Sequence, residues 1–80
     1  MESQEIMERL TVIFREVFED EDIVLSEDQT AEDIENWDSL SHMMLIAAIE
    51  KEFGFKFKLK QLALLVSVGG ILSAIKSNLE

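Results

Sequence analysis

The sequence predicts an all-α fold, a four-helix bundle with a long first loop and a short third helix. Apolar residues recur at helical spacing over 3–18, 39–53 and 67–79. Proline is absent, and no internal repeat, linker or low-complexity stretch divides the chain. Its 80 residues contain no cysteine, so neither a disulfide nor a thiolate–metal site can supply stability. The helices must therefore share one core, in a single domain spanning 1–80.

In the first helix, Ile6, Leu10, Ile13, Phe14, Val17 and Phe18 form one apolar stripe, with Ser3 as the expected N-cap. The acidic run Glu19-Asp20-Glu21-Asp22 opposes the dipole of a helix C-terminus and should end it. Residues 20–38 then read as a long connection anchored at Ile23, Val24, Leu25 and Ile34. A loop of this length in a small domain is expected to have a task, here delivery of the chain to Ser39. Asp38 is the expected N-cap of the second helix, which runs to about Phe53 and stops at Gly54. Phe55-Lys56-Phe57 alternates like a short extended piece, and Lys60 to Leu65 reads as the short third helix. By periodicity alone, Leu62 to Val66 could equally be a buried strand. Ser67 caps the last helix, whose apolar face is Val68, Ile71, Leu72, Ile75 and Leu79. Gly69 and Gly70 weaken its first turn, and the sequence offers no reason for them.

Charge is uneven. Residues 1–38 hold 14 acidic and 2 basic side chains, whereas 39–80 hold 3 and 5, within a net charge of −10. Such a chain repels nucleic-acid phosphates and anionic lipid, so no nucleic-acid partner is expected. With no run of about 18 apolar residues, no membrane span is expected either. Met1-Glu2-Ser3 lacks the features of a signal peptide, so a cytoplasmic, free-standing monomer is the default expectation.

The second helix has two apolar sides. His42, Leu45, Ile46, Ile49 and Phe53 share one, and Leu40, Met43, Met44 and Ala47 the other. One must face the core, and the stripe ending in Phe53 is the longer. The other is expected to remain an exposed contact surface, to which methionine is suited by its flexibility. Ser39 falls in the first turn, where unpaired N–H groups and the positive end of the dipole favour a phosphate.

Asp38-Ser39-Leu40, then Leu45-Ile46-Ala47-Ala48-Ile49, Glu50 and Glu52-Phe53, resemble the second helix of acyl carrier proteins without a gap. Downstream, Phe57, Leu65, Val68, Ile71, Leu72 and Ile75 take that family's apolar positions, so the resemblance covers essentially the whole chain. It implies a carrier, not an enzyme. Ser39 would bear a covalent 4′-phosphopantetheine arm, added from coenzyme A by a phosphopantetheinyl transferase, with Asp38 and Leu40 helping recognition. The arm's thiol would hold an acyl group as a thioester and present it to acyl-loading and acyl-using biosynthetic enzymes. Partner contacts would fall on Leu40, Met43, Met44, Ala47 and Glu50.

Fatty-acid members usually carry acids where this chain has Ser41 and Met44, and an acidic third helix where it has Lys58-Leu59-Lys60. Trp37 before Asp38 looks more like carriers of specialised pathways. A polyketide, peptide or lipid pathway is therefore expected, with docking that depends more on apolar contacts than on ion pairs. Trp37 itself is expected to anchor the loop, with part of its indole edge accessible. The competing reading is an unmodified acidic helical adaptor for a basic protein partner. Asp38, Ser39 and His42 could be read as a hydrolytic triad, but nothing builds an oxyanion hole or a cleft, and His42 more simply packs beneath the arm or caps the loop. The acids of 19–22 and 27–28 lack the alternation and central glycine of a calcium loop.

Overall fold

One buried apolar stripe on each of the three α-helices explains the architecture. The computed structural model describes residues 2–79. The helix α1 spans Ser3–Val17, α2 Ser39–Phe53 and α3 Val68–Leu79, with a 3₁₀ helix at Leu59–Leu64 between the last two. From α1, Ile6, Leu10, Ile13 and Phe14 are buried; α2 contributes Leu45 and Ile49, and α3 Val68, Ile71, Leu72, Ala74 and Ile75. The helix α1 packs on both α2 and α3, and the 3₁₀ helix packs on α3. Arg9 links α1 to the end of α2, reaching Glu52 at 3.4 Å and lying over the Phe53 ring. As an exposed pair it contributes little to stability.

Two expectations about local anchors are corrected. Ser3 is not the N-cap of α1: Glu2 holds that position without a side-chain cap, and the Ser3 hydroxyl accepts from Lys76 Nζ at 2.9 Å. That contact ties the start of α1 to α3. Val24 is no anchor either, being 74% exposed, because Ile23 and Leu25 on either side of it take the inward positions.

The long loop is held by side chains that imitate backbone turns. The Gln29 side chain accepts from the Ser26 N–H at 2.7 Å and donates to the Val24 carbonyl at 3.1 Å. The Asp33 carboxylate accepts from the Thr30 N–H at 2.9 Å. The loop then docks on the start of α3, where the Val68 and Gly69 N–H groups donate to the Gln29 and Glu27 carbonyls at 2.9 and 2.8 Å. Thr30 and Ser67 form an antiparallel bridge at the same place.

That docking explains the two glycines. A Cβ on Gly69 would lie 2.8 Å from the Glu27 oxygen, and one on Gly70 only 1.8 Å from the Leu64 oxygen. The helix loses propensity there because two other backbone segments pass over its first turn. Ser67 caps α3 as expected, its hydroxyl accepting from the Gly70 N–H at 3.0 Å.

The third helix forms from Leu59, one residue earlier than the sequence predicts, and in an inverted sense. Gln61 is buried, while Leu59, Leu62 and Leu64 are exposed. The Gln61 side-chain oxygen accepts from the Lys58 N–H at 2.8 Å and from the Asn78 amide at 2.9 Å, so burial leaves it satisfied. Leu65 at the end of the segment supplies its apolar anchor.

Candidate functional site

The start of α2 is a cap fixed in both directions. Asn36 has a left-handed backbone (φ 71°), a conformation asparagine tolerates better than most residues. This turns its carbonyl toward α2, where it accepts from the Ser41 hydroxyl at 2.7 Å. The Asp38 carboxylate accepts from the Ser41 N–H at 2.9 Å, and the Ser41 oxygen accepts from the Asp38 N–H at 2.8 Å. This is a reciprocal capping box. The Ser41 N–H, and then its hydroxyl, hold the Asp38 carboxyl below its ordinary range. Ser41 was missed as a site-building residue, although a polar side chain three positions after the cap is the signal that could have found it.

Ser39 follows the cap and is exposed at the first position of α2. The Asp38 carboxylate accepts from the Ser41 N–H and also draws on the Leu40 N–H, which leaves the Ser39 N–H as the first-turn donor without a partner among the described residues. Beside Ser39 opens a cleft of about 350 Å³ lined by Ala31, Trp37, Asp38, His42, Leu65 and Val66. Nothing in the sequence marked Ala31, Leu65 and Val66 as its walls, because loop and 3₁₀ segment meet there only in the fold. Trp37 is buried at 7% exposure against Phe14 and Phe18, so it anchors the loop. His42 is half-buried, and its Nδ1 accepts from Trp37 Nε1 at 2.9 Å. Asp38 turned to Ser41 and His42 turned to Trp37 do not assemble with Ser39 into a triad.

The second apolar side of α2 faces outward. Leu40 is 73% exposed, Met43 67% and Met44 51%, and Ala47 is exposed as well. Glu50 sits differently: it is half-buried, and its carboxylate accepts from the Phe57 N–H at 2.8 Å, holding the extended piece after α2. Among the described residues, no group of three or more His, Asp or Glu side chains converges to hold a metal. No helix there is long and apolar enough to cross a membrane.

The family model described as "Phosphopantetheine attachment site" matches residues 8–75. The chain belongs to the acyl carrier protein family. It is also similar to the solution NMR structure of a holo acyl carrier protein from Geobacter metallireducens. The two are 44% identical, with 91% of this chain and 84% of that one covered and a TM-score of 0.85. No curated protein matches the chain. Like its family, this carrier holds 4′-phosphopantetheine covalently, works with biosynthetic enzymes and is not itself an enzyme. An unmodified adaptor is not compatible with that membership. The residues at the start of α2 fit the group: an exposed hydroxyl, the positive end of the helix dipole for a phosphate, and a mainly apolar cleft alongside.

Proposed function

We propose that Ser39 is the attachment point, and that the carrier serves a specialised pathway, polyketide, peptide or lipid, as one domain over residues 1–80. The supporting observation is the placement of the Ser39 hydroxyl, exposed on the first turn of α2 beside N–H groups that lack intrahelical partners. A phosphodiester formed there gains donors and dipole without displacing any contact of the fold. Tethering the thioester then raises its concentration at whichever enzyme has docked.

Leu40, Met43, Met44 and Ala47 form the docking face in this reading, and Asp38 and Leu40 flank the serine for the phosphopantetheinyl transferase. Glu50, with its carboxylate engaged by Phe57, takes a smaller part than the sequence alone implies. Ser41 and Met44 support a pathway outside bulk fatty-acid synthesis. The first forms the cap and the second adds apolar surface where an acid would add charge.

The test is intact mass before and after incubation with coenzyme A and a broad-specificity phosphopantetheinyl transferase, for the parent and Ser39→Ala. One phosphopantetheine added to the parent alone is expected. A gain that survives Ser39→Ala moves the attachment elsewhere.

A further inference from the structure

His42 lines the same cleft as Ser39, yet no role so far uses its second ring nitrogen. Trp37 Nε1 can only donate, so the Nδ1 that accepts from it carries no proton, and the neutral ring bears its proton on Nε2. The two rings lie close to one plane, edge to edge along this bond, with centroids 6.0 Å apart and planes 24° apart. Trp37 in turn is wedged edge-on against Phe14 at 5.5 Å, so both the tautomer and the plane of His42 are set by the core.

Nε2 makes no hydrogen bond within the described residues, where no buried side-chain nitrogen or oxygen lacks a partner. Nε2 is therefore not fully buried, and His42 is one of the residues that line the cleft. Helix geometry gives its direction. Residues three apart have Cβ atoms about 5–6 Å apart on one side of a helix. Side chains also lean toward the helix N-terminus, so His42 lies over the turn that begins at Ser39.

We propose that His42 is a positioning residue whose Nε2–H donates to a non-bridging oxygen of the phosphodiester on Ser39. Trp37, His42 and the phosphate then form one chain of hydrogen bonds that fixes the root of the arm on the Leu65 and Val66 side of α2. The arm leaves along the cleft, and the methionine face stays free for a partner. This inference rests on the assignment of Ser39 made above.

The test uses ¹⁵N-histidine-labelled holo protein made enzymatically, with ³¹P and ¹H–¹⁵N NMR. Nε2–H is expected in the wild type with or without the arm, and its proton should slow in exchange with solvent when the arm is present. The ³¹P resonance should differ between wild type and His42→Phe, and His42→Gln, whose amide still donates, should retain most of the wild-type position. Trp37→Phe should release the tautomer into a mixture.

A ³¹P resonance identical in wild type and His42→Phe overturns the proposal. If His42→Phe does not fold, wild-type Nε2–H exchange equally fast with and without the arm overturns it instead. A protein that gains mass at Ser39 with an unmoved ³¹P signal defeats only the role of His42. Mass gained elsewhere, or none, defeats the Ser39 assignment.

Discussion

Leu45 and Ile49 are fully buried on one side of α2, whereas Leu40, Met43 and Met44 stand half or more exposed on the other. Both sets are apolar and share fifteen residues of one helix. Hydrophobicity therefore does not decide which is covered; the neighbours do. The core side meets α1, and the capping box fixes the rotation of α2 by pinning its first turn to Asn36. The outer side stays half or more exposed, and it is the surface proposed above as the docking face. A comparable contrast separates the loop of 18–38, held by its own polar side chains, from the 3₁₀ segment, which leaves Leu59 86% exposed.

The most severe way to break the contrast is to remove a methyl cluster from the covered side. Ile49→Ala is expected to cost about 2–5 kcal/mol, a large part of the stability of a domain this small, as read by urea denaturation. A loss under about 1 kcal/mol would mean that α2 repacks freely and the two sides are not distinct.

Next comes Gly70→Ala. In an exposed helix this change helps by about 1 kcal/mol, but here the Cβ would strike the Leu64 carbonyl, so a loss of roughly 1–3 kcal/mol is expected. Gly69→Ala should lose less, because its contact with the Glu27 oxygen is longer. Thermal melts in which both variants gain stability would show that loop and helix do not approach as closely as described.

A smaller effect belongs to Asp38, and pH reveals it. Its carboxyl is held below the ordinary value of 3.8, so the folded state favours the charged form. The contribution is complete above that value and is lost as pH falls through the lower folded-state value. Asp38→Asn should therefore flatten the dependence of Tm on pH below about pH 4, relative to the parent. Parallel curves for the two proteins would mean that the charged Asp38 carboxyl does not stabilise the fold.

Smallest in stability are Leu40→Ala and Met44→Ala, each expected within about 0.5 kcal/mol of the parent. Their effect should appear instead as a raised KM for transfer of the arm or cargo. Unchanged KM for every partner tried would leave the outer side without a use.

Much of this carrier was legible in its sequence because the signals were local. Helical periodicity placed α1, α2 and α3, Asp38 and Gly54 bounded α2, and Ser67 capped α3, each depending on residues within a turn of one another. The two-sided pattern of α2 also survived folding, since it is a property of angular spacing alone. What the sequence could not supply involved residues far apart along the chain. Gly69 and Gly70 are explained only when Glu27 and Leu64 pass over α3. Gln61 turns inward only because Asn78 and the Lys58 N–H await it. The cleft exists only where Ala31, Leu65 and Val66 meet the first turn of α2. Local propensity and capping act over one or two helical turns, whereas close approach of backbones and pairing of buried polar groups are fixed by which segments the fold brings together.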